Sequence, residues 1–414
     1  MNKPFPKKPV SPSILGQSPP QVAILGLVLL LTGNVHAATN TPVSVKTTAT
    51  NLSTAASYNQ TPAANPNDTD DIEFSNSTYS SPASFTVGGS LQYGSLNDLN
   101  TSQTITVTGT EINLLNFNGN GVSGNLTDLL YVASGATLDL VSHSGAVVNV
   151  GISGTIDAVG TLNISNNDGT SAGLSITTGK TATFIGSGTT TLSASIINGS
   201  TTTVQVGSAT SNMGGTLVIT GKGTTGGATV NTGGSLLYGS ASAAATLTGT
   251  GSAGSITLNG GIFGLNGTAG ATNANVGTLT LTDSTTSSLN LVAGGNSVKL
   301  SLTTLSGTGD LVISGWNGSA TSGSLTTDIA YTGSSTTLSD ISWASGTVVD
   351  GITYQSITGA EDVNGQIVPD MADAIPAAPE PSTVFAALGL AGLLTWSNRR
   401  QLLKASRLRL SWVK

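Results

Sequence analysis

The chain has 414 residues, of which 54 are glycine, none is cysteine and only 8% are charged. Charged residues make up roughly 25% of an ordinary globular protein, so this composition argues against a helical bundle and against a nucleic-acid-binding protein. The absence of cysteine excludes disulfide scaffolds, thiolate zinc sites and cysteine nucleophiles.

Residues 1–37 have the pattern of a secretory signal peptide. Three lysines precede residue 9, a nearly uninterrupted aliphatic run covers residues 22–31, and small residues at Val35 and Ala37 stand at the −3 and −1 positions. We therefore expect signal peptidase to cleave between Ala37 and Ala38. An uncleaved membrane anchor is the alternative.

Residues 38–84 are polar, contain proline and show no sustained period, which favours a flexible lead or a loosely ordered cap. The acidic run from Asp68 to Glu73 offers hard oxygen ligands of the kind that calcium prefers. It lacks the loop glycine and the spaced ligands of a defined site. We interpret it as a solvated charge run, and no metal site is predicted.

Residues 85–368 predict an all-β body. Proline is absent from Ala83 to Val368, and apolar residues alternate with Thr or Ser, as in strands with one buried face. Glycines that open a similar short pattern recur about every 20 residues, at Gly135, Gly154, Gly179, Gly199, Gly215, Gly234, Gly254 and Gly277. We therefore expect a single elongated right-handed parallel β-solenoid. A string of antiparallel sandwich domains is the alternative.

The same region offers few residues for chemistry. His143 would be the one histidine of the mature chain, too little for a Ser-His-Asp triad. Three G-x-G-x-x-G matches reflect the glycine-rich composition, because none opens a helix that could hold a phosphate. Asp139 and Asp157 are the strongest enzymatic candidates, since stacking on adjacent coils would place them about 4.8 Å apart. Aromatic platforms and basic partners are lacking, so no catalytic residue and no cofactor are predicted.

The C-terminal residues predict a membrane segment. A linker at 369–382 is followed by an uncharged apolar run at 383–398 and by a basic tail at 399–414. The positive-inside rule would keep Arg399 and Arg400 in the cytoplasm, and the acidic middle of the chain would then lie outside. We expect a single transmembrane helix at 383–398.

Pro379, Glu380 and Pro381, followed by this apolar run and by Arg399 and Arg400, resemble the PEP-CTERM sorting signal of Gram-negative bacteria. The resemblance implies that an exosortase-like enzyme recognises the triplet and processes the tail during export. The tail after Arg400 is longer than is usual in that family. An ordinary C-terminal anchor is the alternative.

The repeats also resemble autotransporter-type passenger repeats, with residues 278–291, 305–313 and 316–318 similar to the last coils and closing segment of those proteins. Together the resemblances imply an exported protein that is transiently anchored in the inner membrane. It would then reach the outer surface or the extracellular matrix, with a structural or adhesive role beside exopolysaccharide. A hydrolase or lyase that acts on extracellular polysaccharide is the alternative function.

Overall fold

The structure is a computed structural model that describes residues 42–49, 51–52, 57–59, 71–79, 83–93, 95–114, 128–142, 148–150, 154–166, 174–176, 181–193, 196–198, 203–211, 213–223, 227–240, 246–247, 254–282, 284–321, 327–333, 338–377, 388–396 and 398–399. The predicted signal peptide and its cleavage site at Ala37 and Ala38 lie outside these ranges. Pro379, Glu380, Pro381, Arg400 and His143 lie outside them as well.

Short strands make up nearly all of the regular secondary structure among the described residues. The N-terminal strands are β1 (Pro42–Ser44), β2 (Asp71–Phe74), β3 (Ser84–Tyr93), β4 (Ser95–Asp98), β5 (Thr104–Leu114), β6 (Asp128–Val132), β7 (Thr137–Ser142), β8 (Val148–Val150), β9 (Gly154–Ala158), β10 (Thr161–Asn166) and β11 (Leu174–Ile176). The central strands are β12 (Thr181–Ile185), β13 (Thr189–Leu192), β14 (Ile196–Asn198), β15 (Thr203–Val206), β16 (Gly215–Ile219), β17 (Lys222–Gly223), β18 (Gly227–Asn231), β19 (Gly234–Tyr238), β20 (Thr246–Leu247), β21 (Ser255–Asn259) and β22 (Ile262–Asn266). The C-terminal strands are β23 (Thr272–Leu281), β24 (Thr286–Val292), β25 (Val298–Gly307), β26 (Asp310–Ser314), β27 (Asn317–Gly318), β28 (Thr327–Tyr331), β29 (Ile341–Trp343), β30 (Thr347–Val349), β31 (Ile352–Thr358), β32 (Ala360–Asp362), β33 (Ile367–Pro369) and β34 (Ile375–Pro376), with a 3-10 helix at Leu338–Asp340.

The strands stack into three parallel ladders, which the chain visits in turn. The first ladder contains β1, β2, β4, β6, β9, β12, β15, β18, β21 and the second halves of β23 and β25. The second ladder contains the first halves of β3 and β5, then β7, β10, β13, β16, β19, β22, β24, β26 and β29. The third ladder contains the second halves of β3 and β5 with β8, β11 and β14, and later β17, β20, the first halves of β23 and β25, and β28. The prediction of a parallel β-solenoid is therefore confirmed.

The alternation of apolar and hydroxyl residues explains the three-sided coil. Alternate side chains of a strand point to opposite faces, so one set fills the interior and the other faces outward. In the second ladder Leu138 and Leu162 are register partners, and both are fully buried. Thr137 and Thr161 occupy the neighbouring outward positions. β-branched threonine suits such half-exposed strand positions.

The corner between the first and second ladders is closed by glycine. Val159 and Gly160 join β9 to β10, and Gly188 precedes β13 at the same corner of the next coil. A Cβ on Gly188 would lie 1.8 Å from the carbonyl oxygen of Gly160. The corner backbones of adjacent coils therefore touch, and only glycine allows this approach.

An antiparallel cap closes the C-terminal end of the second ladder. β31 pairs antiparallel with both β29 and β30, and β34 pairs antiparallel with β31. Beneath this cap the rings of Trp316 and Trp343 pack edge to face with centroids 5.3 Å apart. The indole nitrogen of Trp343 donates a hydrogen bond to the Gly359 carbonyl at 2.9 Å, which satisfies the polar atom of a buried ring.

The first ladder begins before residue 85, because β1 and β2 belong to it. Ile72 and Phe74 of β2 are fully buried, and the Phe74 ring lies 5.1 Å from that of Phe85. Glu73 lies between them and is only 7% exposed. The interpretation of the acidic run as solvated charge is therefore wrong at Glu73, since β2 is an interior rung with β1 and β4 on either side.

The described C-terminal residues at 388–396 and 398–399 are helical. Leu388, Leu390, Leu393 and Leu394 are exposed there, as is Arg399. Among the residues that the structure describes, no helix combines the length and the apolarity needed to cross a bilayer.

Candidate functional site

The two aspartates considered as a catalytic pair lie on different ladders. Asp139 belongs to β7 of the second ladder, where Thr106 and Asn163 are its register partners. Its Oδ1 accepts a hydrogen bond from Asn163 Nδ2 at 2.8 Å. Asp157 belongs to β9 of the first ladder. The hypothesis that they stack on adjacent coils is wrong, because the chain turns two corners between β7 and β9, with β8 of the third ladder in between.

Asp157 instead lines a cleft at the corner between the first and second ladders. It occupies an outward position of β9, in register with Tyr131 and Ile185 of the adjacent coils. It is nevertheless only 5% exposed. The cleft has a volume of about 520 Å³ and is lined by Asp157, Val159, Gly186, Ser187, Met213, Gly214, Gly215, Thr216 and Gly233.

One wall of this cleft is the connection between β15 and β16. Most described connections at this corner are much shorter, as between β9 and β10, whereas this one, here called the 207–214 loop, has residues 207–211 and 213–214 described. The Ser208 amide donates to the Met213 carbonyl at 2.8 Å, which closes the loop on itself. The Gly186 amide donates to the Gly214 carbonyl at 2.8 Å, which fixes the loop against the preceding coil. The position of the 207–214 loop over this corner explains why Ile185, an outward residue of β12, is buried.

The carboxyl group of Asp157 is poorly solvated. Its Oδ1 is buried and has no hydrogen-bond partner among the residues that the structure describes. Burial raises the pKa of Asp157, because the charged form loses water without gaining a compensating partner. Among the described residues that line the cleft, Asp157 is the only ionisable one. The cleft thus contains an acceptor whose hydrogen bond is unmade and whose charge is unbalanced.

Asp157→Asn should stabilise the folded protein above neutral pH, by roughly 1–3 kcal/mol, because the neutral amide has a lower desolvation cost. A raised carboxyl pKa means that the folded state holds its proton more tightly than the unfolded state, so the benefit should vanish in acid, where both are protonated. Thermal unfolding followed by circular dichroism at pH 8 and pH 3 would measure this. Asp139→Asn is the matched control and should not stabilise the protein, since Asp139 already has a partner. An equal gain from both variants would contradict the assignment.

A second buried carboxyl group, Asp98, belongs to the interior. It is in register with Phe74 and Val132, and it is fully buried. Its Oδ1 accepts a hydrogen bond from the Asn100 amide at 2.9 Å, whereas its Oδ2 has no partner among the described residues. Desolvation raises the pKa of Asp98 to about 7, although the Asn100 hydrogen bond lowers it in part. Asp98 has no access to a ligand, so its role is structural.

The outward face of the first ladder carries a column of hydroxyl side chains, here called the threonine column. Its register partners are Thr155, Thr183, Gln205, Thr229, Thr257, Thr280 and Ser306. An adjacent column, two residues earlier on each strand, contains Thr181, Thr203, Gly227, Ser255, Thr278 and Thr304. Strands lie about 4.8 Å apart and alternate residues about 6.6 Å apart, so the two columns form a regular grid.

This grid is neutral and partly linked within itself. Neither column contains an ionisable residue. Thr280 Oγ1 and Ser306 Oγ lie 3.2 Å apart, and Thr183 Oγ1 donates to Gln205 Oε1 at 3.4 Å. The threonine column is half-buried along its length, so each hydroxyl retains some contact with solvent. The sequence predicts alternation here, but the alignment of these residues depends on the coil length.

No protein-family model, curated protein or solved structure matches this chain. Among the described residues, no group of three or more His, Asp and Glu side chains is arranged to hold a metal ion. The Asp157 cleft and the neutral grid are therefore the two surfaces on which a functional argument depends.

Proposed function

We propose that this chain is an exported, non-catalytic surface protein with a structural or adhesive role, in contact with exopolysaccharide. The observation that carries the proposal is the neutral hydroxyl grid on the first ladder. Each hydroxyl both donates and accepts hydrogen bonds, as sugar hydroxyls do. One such bond contributes only about 1 kcal/mol, but a row of hydroxyls on a rigid face can make many such bonds to one repeating polymer, so the affinity of the whole contact is higher.

The chain ends support export. The signal peptide pattern before Ala38 would direct secretion, and the segment at 383–398 would hold the protein in the inner membrane. Pro379, Glu380 and Pro381 would then be recognised by an exosortase-like enzyme, with Arg399 and Arg400 on the cytoplasmic side. The protein would be released to the outer surface or the matrix. We expect the coil to be right-handed, as are about 98% of parallel crossovers.

A polysaccharide hydrolase or lyase is the second candidate. Asp157 favours it, because a carboxyl group with a raised pKa in a cleft is the usual form of a general acid. Glycoside hydrolysis normally uses two carboxyl groups that flank the scissile bond. Asp157 is the only carboxyl group among the described lining residues, and Asp139 lies on another ladder. The adhesive role therefore has the better support.

Replacing Thr229, Thr257 and Thr280 together by valine should weaken polysaccharide binding at least about tenfold. Valine keeps the shape and strand preference of threonine but removes three hydroxyls, each worth about 1 kcal/mol. Cosedimentation of the full-length protein with exopolysaccharide from the producing cells would measure the loss. The matched control replaces Thr137, Thr161 and Thr189 of the second ladder by valine. Unchanged binding by the first variant, or equal loss in both, would overturn the assignment of the grid.

A further inference from the structure

The Asp157 cleft has a feature that the hydroxyl grid lacks, namely a carboxyl group with an unmade hydrogen bond. Asp157 is only 5% exposed, and within the described part of the chain its Oδ1 has no hydrogen-bond partner. Buried charges in proteins are normally paired or bound to a cation. A ligand that brings a donor into the cleft would therefore recover free energy that the protein alone does not.

The missing partner is best supplied by a primary ammonium group. It would neutralise the carboxylate and would also donate two further hydrogen bonds. Ser187 and Thr216, which line the same cleft, offer hydroxyl oxygens for them. Calcium requires six to eight oxygen ligands and usually several carboxylates, whereas the described lining offers one carboxyl group. The residues present thus suit an organic cation better than a hard metal ion.

The cleft also has the size and the walls for a sugar unit. Its volume of about 520 Å³ falls within the range of about 300–1,000 Å³ for small-ligand pockets. Val159 and Met213 provide apolar surface, and Ser187 and Thr216 provide hydroxyls. A pyranose ring has an apolar face of C–H groups and a polar edge of hydroxyls, which matches this division. A lysine side chain carries the same ammonium group, but it lacks the ring hydroxyls that could accept hydrogen bonds from the Ser187 and Thr216 hydroxyls.

We propose that the Asp157 cleft binds the primary ammonium group of an amino-sugar unit, held by the Asp157 carboxylate. The identification of a polysaccharide unit rests on the proposed function. Gly186 belongs to this arrangement, because a Cβ at that position would lie 2.7 Å from Asp157 Oδ1 and would crowd the carboxyl group. The grid then supplies many weak contacts along a polymer, and the cleft favours polymers that carry a positively charged ammonium group.

The test is isothermal titration calorimetry of the full-length protein at pH 6, where the glucosamine amine is protonated, with two short oligosaccharides of equal length. One is built of glucosamine, and the other of N-acetylglucosamine, in which the amine is an uncharged amide. We expect the glucosamine oligomer to bind at least tenfold more tightly. Asp157→Asn should weaken that binding at least tenfold, and Asp139→Asn, the matched control, should leave it unchanged. Equal binding of the two sugars, or full binding by Asp157→Asn, would overturn the proposal.

Two further measurements keep the result interpretable. Met213→Trp places a bulky ring at the cleft wall without altering the carboxyl group, and it should also reduce binding while the unfolding midpoint stays near that of the wild type. A lysine-containing peptide that binds as tightly as the glucosamine oligomer would refute the sugar assignment. If the cleft variants have no effect but the valine variants lose polysaccharide binding, the cleft proposal fails and the proposed adhesive function survives.

Discussion

Replacing Gly188 by alanine is expected to lower the free energy of unfolding by about 3 kcal/mol, because the added Cβ forces two coils apart. That Cβ would lie 1.8 Å from the Gly160 oxygen, 2.7 Å from the Val159 oxygen and 2.8 Å from the Ala158 oxygen. All three are backbone atoms, so no side-chain rotation can relieve the contact. The Gly188 amide also donates to the Ala158 carbonyl at 2.8 Å, and separation would break that bond. Urea unfolding followed by circular dichroism would measure the change.

Gly227→Ala is the matched control. Gly227 opens β18 of the first ladder, but a Cβ there would lie 3.5 Å from Ser255 Oγ and 3.8 Å from the Ser255 carbonyl oxygen, both ordinary contacts. Alanine restricts the unfolded chain more than glycine does, so this variant should be neutral or slightly stabilising. If Gly188→Ala unfolds at the same urea concentration as Gly227→Ala, the tight corner is not needed for stability.

Asp98 should make the N-terminal coils less stable as the pH rises from about 4 to about 7. Its ordinary pKa is 3.8 and its folded pKa is about 7, so the folded state binds the proton more tightly in this range. Stability from this group is therefore fully present below about pH 4 and is lost by about pH 7. A difference of about three pKa units corresponds to as much as about 4 kcal/mol. Hydrogen exchange of the amides in β2, β4 and β6 would report the loss locally.

Asp98→Asn should remove this pH dependence and leave the N-terminal coils more stable than the wild type at pH 8. The amide is neutral at every pH, and its oxygen can still accept the Asn100 amide that Asp98 Oδ1 accepts at 2.9 Å. Exchange rates in β24 and β26, far along the coil series, serve as the internal control and should be equal in both proteins. A wild type whose N-terminal exchange does not change between pH 4 and pH 7, after correction for intrinsic rates, would contradict the prediction.

The sequence was sufficient to predict the solenoid, because inward and outward positions alternate in nearly every strand. It was not sufficient to predict the register. Bonded partners such as Asn163 and Asp139 are 24 positions apart, and Asn259 and Asn231 are 28 apart. The glycine period of about 20 residues is shorter than the length of one coil, because it combines strand starts from different ladders. Asp157 follows Asp139 by less than one coil, with β8 of the third ladder between them, and therefore falls on a different face.

The Asp157 cleft could not be predicted from local pattern. Alternation marks Asp157 as an outward and hence solvated residue, and its burial depends on the loop at 207–214, which belongs to a later coil. Asp98, in contrast, occupies a position that alternation assigns to the interior, two residues after the buried Leu96. The alternation pattern alone could therefore have predicted that Asp98 is a buried carboxyl group.

The C-terminal cap affects whether a strand of another chain can pair with the end of the second ladder. A parallel ladder normally ends in a row of free amides and carbonyls, which can template another chain and so nucleate a fibre. Here β31 runs antiparallel to β29 and β30, and β34 runs antiparallel to β31. Pro376 in β34 has no amide hydrogen to donate. A strand of another chain that added here in parallel would therefore face a strand of opposite direction and would lack the hydrogen-bond donor that Pro376 cannot supply. The C-terminal end of the second ladder is thus protected against the addition of a strand from another chain.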